Sequence, residues 1–309
     1  MDQKEPVIRW WDFSAAILLL AAILTAATRL VSTQWTENLS IIQNLAFLGV
    51  ISGFALGKSI FSHQTALALG AAYGTFAVPW QLGLTLDKSL LWSERMLVLI
   101  NRIDLVVQQL ANREPVQDSI LFILIMCILF WSLAVHAGLS LVRFGSAWGS
   151  VLPAGLAIFV IHSFDAVVTR RSWYLAVCIF FSLVMVARMV YIQRQDRWQS
   201  SRTALPPHLG LDFIRFAIIA TLVIIIFSWT VPAMANSLPA AQRMWQPVQR
   251  LWNETRDRFD NAFASLRTSV GVVSQYYGVS ASLGRGTPLT DDHILTVRVP
   301  DDLPANIRL

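Results

Sequence analysis

Two cysteines, Cys127 and Cys178, and five histidines are the side chains through which this chain could run thiolate chemistry or hold a soft metal ion. A nucleophilic thiolate needs an imidazole beside it, a carboxylate to orient that imidazole, and a partly exposed, water-accessible setting. Both cysteines fall inside long apolar stretches, while His293, in the polar C-terminal segment, has no cysteine anywhere near it. Neither a Cys-His-carboxylate set nor the paired spacing of a zinc site or disulfide framework follows from two such cysteines. The expectation is therefore that the chain holds no catalytic, cofactor-binding or metal-binding residues. Its cysteines are read as small apolar packing residues and its histidines as loop, interface or packing residues.

A second kind of chemistry, proton relay or transport, would need ionisable groups within the membrane, each costing roughly 2.5–3.5 kcal/mol at a helix centre. Arg29, His136, His162, Asp165 and Arg188 are the candidates. Arg29 and Arg188 lie within a turn or two of their helix ends and are expected to extend toward water. Asp165 belongs to a loop, and His162 lies three residues before it, at a spacing that allows a surface pair. Pro79 and Pro153 interrupt apolar stretches without forming the corresponding pair of broken helices seen in inverted-repeat transporters, and no internal repeat is visible. A transporter is accordingly the weakest of the readings.

The elements that must position these residues are membrane helices. Of the 309 residues, 55% are hydrophobic and 14% charged, and the mean hydropathy is +0.54, far from the composition of an ordinary water-soluble domain. A span needs about 20 apolar residues. Seven segments meet or approach that length, near 12–32, 40–57, 64–86, 119–141, 147–163, 172–192 and 214–235. The first is longer than a secretory signal core and no small-residue cleavage site follows it, so it is read as a retained span. The net charge of +5 does not indicate nucleic acid, because the basic residues are scattered around loops. They serve orientation instead: Lys4, Arg9, Lys58, Arg143, Arg194, Arg197, Arg202 and Arg215 outnumber Lys88, Arg95, Arg102, Arg113, Arg170 and Arg171 on the other side. The positive-inside rule then puts the N-terminus in the cytoplasm and the segment after Ala235 outside. Trp10, Trp11, Trp35, Trp80, Trp173 and Trp229 sit near span ends, as interfacial indoles do.

The expected fold class is thus an all-α polytopic protein of the cytoplasmic membrane, with the lipid bilayer as its principal partner. Residues 1–235 form its multi-span domain. Gly49, Gly53 and Gly57 in the second span, and Ala66, Gly70 and Gly74 in the third, recur every four residues and permit close helix packing, within one chain or across a dimer. Residues 87–113 read as an outer amphipathic helix, with Leu90, Leu97, Ile100, Ile103, Val107 and Leu110 on its apolar face. Residues 236–270 read as an extracytoplasmic juxtamembrane helix whose aromatics, Trp245, Trp252 and Phe259, are candidate interface residues. A linker and one strand follow in 271–309, where Leu295, Val297 and Val299 alternate on an apolar face. A single strand needs partners, so this stretch is read as the start of a β-containing soluble domain that ends early at Leu309.

Three stretches carry a resemblance. QDRWQSSRTALPPHLGLDF at 195–213, WQPVQRLWNETRDRFDNAF at 245–263, and Leu283-Gly284-Arg285-Gly286 with Pro288-Leu289-Thr290-Asp291 and Leu295-Thr296-Val297-Arg298 are similar to bacterial membrane-anchored transglutaminase-like proteins. The last stretch is the sharpest match, and the spans match mainly by hydropathy. The resemblance implies that this chain is the N-terminal anchor of such a protein. It also implies a missing C-terminal catalytic domain of papain-like fold, performing cysteine-dependent acyl transfer or hydrolysis on cell-envelope peptides. None of that family's triad residues maps onto this chain, so whether the chain is itself an enzyme stays open. A different class of function, a sensor or assembly module that binds an envelope protein through its outer helices, remains the alternative.

Overall fold

The computed structural model describes residues 12–112, 118–164, 172–200 and 209–235, the side chains of 110, 196–200, 209, 211 and 229–235 excepted. Eight helices are present among them: α1 Phe13–Thr33, α2 Ile41–Lys58, α3 His63–Gly83, α4 Trp92–Ala111, α5 Ile120–Phe144, α6 Ala147–Phe164, α7 Trp173–Ser200 and α8 Leu209–Ala235. Strands are absent from the described residues, and the expected juxtamembrane helix and strand after residue 235 lie outside them.

Each of the seven expected apolar segments is helical, and among the described residues five helices are long and apolar enough to cross a membrane: α1, α2, α5, α6 and the Trp173–Gln195 part of α7. Five of the seven expected spans are thus present, among the described residues, as helices of spanning length and composition. α3 falls short because glycines, threonine and glutamine dilute its alanines and leucines, and α8 is described by its side chains only as far as Ser228. α7 runs on to Ser200, beyond the expected end near 192, since arginine and glutamine propagate a helix well once it has left the apolar region.

Local chemistry sets the ends. The Asp12 carboxylate accepts from the Ala15 amide at 3.0 Å and starts α1, and Ser62 caps α3 through the Thr65 amide at 3.2 Å. α5 stops at Gly145, whose φ of 58° is left-handed; its amide donates to the Leu141 carbonyl and the Ser146 amide to that of Ser140. The Ser146 hydroxyl then accepts from the Gly149 amide, so two residues turn α5 into the antiparallel α6.

α5 is the hub. It packs most extensively on α2, and also against α3, α6, α1 and α4. A Cβ at Gly49 would stand 2.8 Å from the Ala134 methyl, one at Gly53 2.5 Å from the Val135 carbonyl oxygen, and one at Gly57 2.8 Å from Val142 Cβ. From the other side, a Cβ at Gly138 would stand 2.8 Å from the Val50 carbonyl oxygen. The two backbones meet there with no room for a side chain. α3 docks by the same device: Ala66 is buried, Gly70 faces Val135 and Leu56, and Gly74 faces the Trp131 indole, whose Nε1 donates to the Gly70 carbonyl at 3.0 Å. Both small-residue stripes thus face α5, and α3 touches α2 beside it. On the far side, α1 buries Ala15, Leu19, Ala22, Ile23, Ala26 and Leu30, and contacts α7, α6 and α2. α8 packs on α7.

Because the Gly53 contact is with backbone, which cannot swing away, Gly53→Leu should destabilise the bundle by about 1–3 kcal/mol or more. Gly155, whose Cβ would meet nothing within 4 Å, supplies the contrast. Gly155→Ala should be neutral or stabilising by up to about 1 kcal/mol through helix propensity. Thermal unfolding of the two variants in the same detergent checks both signs.

Candidate functional site

The groups singled out for chemistry are buried or engaged. Cys127 and Cys178 are both buried free thiols; Cys178 Sγ lies 3.6 Å from the Ala22 carbonyl oxygen at the α1–α7 contact, where it acts as a small packing residue. Neither has the water access that a thiolate nucleophile requires. Among the described residues, no three of His, Cys, Asp and Glu are grouped to hold a metal ion. His136 is exposed on the apolar flank of α5 and is 3.3 Å from the Ser140 hydroxyl one turn on, while His63 makes an edge contact with the Phe144 ring. Asp165, and with it the His162–Asp165 pair, lies outside the described residues, as do Trp245, Trp252 and Phe259.

The arginines depart from the expectation that they extend outward. Arg29 is 0% exposed, enclosed near the end of α1, with Nη1 donating to the Ser32 hydroxyl at 3.3 Å. Beside it, Gln43 of α2 donates to Thr28 of α1 at 2.9 Å. Arg188 on α7 reaches across to α1 and binds Asp12 through two parallel bonds of 3.1 Å. Asp12 therefore caps α1 and anchors α7 with one carboxylate. Sequence spacing gives no sign of this, since the partners are 176 residues apart. Arg143, nearly buried, donates to the Phe61 carbonyl and holds the α2–α3 turn against the end of α5, while Gln193 of α7 donates to the Gly145 carbonyl at 2.9 Å. Arg188, Gln43, Arg143 and Gln193 each tie one helix to another, or to a turn, whereas the Arg29 bond to Ser32 stays within α1.

α4, expected as an outer helix with one apolar face, shows two. Met96, Leu99, Ile103 and Val106 turn toward the bundle, whereas Leu97, Ile100 and Val107 are exposed. The helix thus carries one apolar stripe for α3 and α5 and a second for its surroundings. Trp92 packs on Trp80 with ring centres 4.8 Å apart and carries the Arg95 guanidinium over its face. At the far end, Arg102 grips Asp118 with bonds of 2.8 and 2.7 Å, and Asp118 also accepts from the Ile120 amide at the start of α5. Partial burial raises the Asp118 pKa, but the Arg102 guanidinium and the Ile120 amide outweigh it and hold the carboxyl below its ordinary value. Large apolar side chains stand exposed along the helices, among them Phe47, Ile51, Phe76, Ile128, Phe159, Phe216 and Phe227.

Two outcomes follow. A carboxyl with a lowered pKa in the fold stabilises it above the unfolded value of 3.8 and loses that contribution as pH falls through the folded value. The melting-temperature advantage of the native chain over Asp118→Asn should therefore be full at neutral pH and fade below about pH 4. Asp12→Ala and Arg188→Ala should each destabilise by about 1–3 kcal/mol, and the double variant by less than their sum, with a coupling of about 0.5–3 kcal/mol in a thermal-unfolding cycle. Comparisons of this chain with protein-family models, with curated proteins and with solved structures give no match.

Proposed function

We propose that this chain is a membrane anchor: a seven-span bundle, N-terminus in the cytoplasm, that holds residues 236–309 at the outer surface of the cytoplasmic membrane for a transglutaminase-like cell-envelope protein. The observation that carries the anchoring part is how the polar side chains of the bundle are used. Asp12 with Arg188, Gln43 with Thr28, and Arg143 with the Phe61 carbonyl all join one part of the bundle to another, while its outward face is apolar. Such an arrangement fits a rigid body in lipid, and a seam of backbone contact between α2 and α5 suits a part whose task is to stay in one shape. The two apolar stripes of α4 suit a helix lying along the headgroup boundary, one side on the bundle and the other in lipid.

The enzymatic part rests on the likeness of residues 195–213, 245–263 and 283–298 to that family. In this reading the cysteine-dependent acyl transfer or hydrolysis, acting on cell-envelope peptides, belongs to a Cys-His-Asp set supplied by the transglutaminase-like domain. Cys127 and Cys178 take no part in it.

Three experiments test the proposal. With the native thiols buried, a membrane-impermeant maleimide should label Asp291→Cys in intact cells and Arg194→Cys only after permeabilisation; the reverse pattern sinks the orientation. Reading the gene beyond the codon for Leu309 should reveal the Cys-His-Asp set, and a different domain there would end the family assignment while leaving the anchor intact. Amidase or crosslinking activity of residues 1–309 that disappears on Cys127→Ser or Cys178→Ser would overturn the separation of anchor from catalysis.

A further inference from the structure

A recess of about 470 Å³ lies between α5 and α6, on a face of α5 other than its glycine seam. Phe130, Ile161 and Phe164 form its buried floor, while Leu129, Leu156 and Val160 stand exposed along its rim. The space exists because Ala157 and Pro153, one turn apart on α6, place little volume opposite Leu133. From Pro153 to Phe164 the helix advances roughly 16 Å. That is about half of the ~30 Å hydrocarbon thickness, so the recess is one leaflet long. Its Phe164 end lies where α1 and α6 finish and α5 begins, beside Trp35, whose ring is edge-on to Phe122 at 5.9 Å. An indole at that level suits the headgroup boundary.

We infer that this recess is a lipid site that holds one acyl chain of a phospholipid from the leaflet at the Trp35 end. The exposed rim residues Leu129, Leu156 and Val160 belong to two helices that are each long and apolar enough to span a membrane, so hydrocarbon is what meets them. The lining is apolar along its length, which excludes a hydrated ligand, and an unfilled slot would forfeit the dispersion contacts of its floor. The length matches a single chain in a single leaflet. The exposed face of α8 from Phe216 through Ile219 to Val223, by contrast, is a row of protruding side chains, clear of the smaller recess that Ile224, Ile225 and Ser228 line with α7. This inference does not depend on the chemistry of the C-terminal segment.

The test uses the full chain in phosphatidylcholine vesicles doped with a phospholipid bearing a diazirine near the end of one acyl chain, with photo-adducts mapped by mass spectrometry. Adducts per residue on 126–133 and 153–161 should exceed those on 216–223 by about tenfold, the preference expected where the recess floor adds dispersion contacts that an open helix face lacks. Ala157→Phe, which fills the slot, and Leu156→Trp, which covers it from the exposed rim, should each remove that excess while leaving α8 labelling unchanged. Gly155→Leu, which points into open space, should preserve it. Should Ala157→Phe fail to fold, Leu156→Trp decides the matter alone. Even labelling of both surfaces, an excess that survives Leu156→Trp, or capture of a diazirine fatty acid but not of the phospholipid would overturn the proposal.

Discussion

Where Gly49, Gly53 and Gly57 of α2 meet Ala134, Val135 and Gly138 of α5, two helix backbones approach with no side chain between them, and the rest of the bundle is arranged around that contact. In lipid the hydrophobic effect does not drive helices together, so affinity comes from the number of atoms in contact and from hydrogen bonds. A glycine seam maximises the first. It also fixes α5, because a helix held at backbone distance can neither rotate nor slide without a clash. α3 then docks onto α2 and α5, with the Trp131 indole laid across Gly74 and donating to Gly70. The two-residue Gly145–Ser146 turn carries α6 back along α5.

The second organising element is the use of polar side chains where water is scarce. A carboxylate or guanidinium near hydrocarbon is costly unless it is paired and hydrogen-bonded. Asp12 and Arg188 meet that requirement at the end of α1 with two bonds, and Asp12 still caps its own helix. Arg143 serves the α2–α3 turn, and Gln43 joins α2 to α1. These ties fasten helices that the glycine seam does not reach, α7 above all. The same economy leaves the outward faces apolar, and thereby open to lipid between α5 and α6.

The helices were legible because their signals are local. Long apolar runs are signals of that kind; the Asp12 and Ser62 caps and the Gly145 stop are equally local, though the structure was what singled them out. The small-residue stripes were legible as stripes, but not their common partner, since a run of glycines at four-residue spacing states that something comes close and not what does. The apolar face of α4 was legible only in part, for a related reason. Leu97, Ile100 and Val107 mark one apolar stripe, yet Met96, Leu99 and Val106 mark another, and only a neighbouring helix distinguishes the face that packs on protein. Arg29 and Arg188 sit close enough to helix ends for an outward path, and the choice of burial or pairing instead was made by residues on other helices.

What the sequence by itself determined is that this chain enters a membrane as apolar helices with defined ends, and that its two cysteines are packing residues, because hydropathy and capping act over a single turn or a single span. What only the tertiary structure decided is that α5 is the hub, that Asp12 answers Arg188 across 176 residues, and that α5 and α6 part to leave a slot one leaflet long. Those features follow from which helices become neighbours. In a bilayer that choice rests on steric fit between faces, a property of pairs of helices that no single stretch of sequence contains.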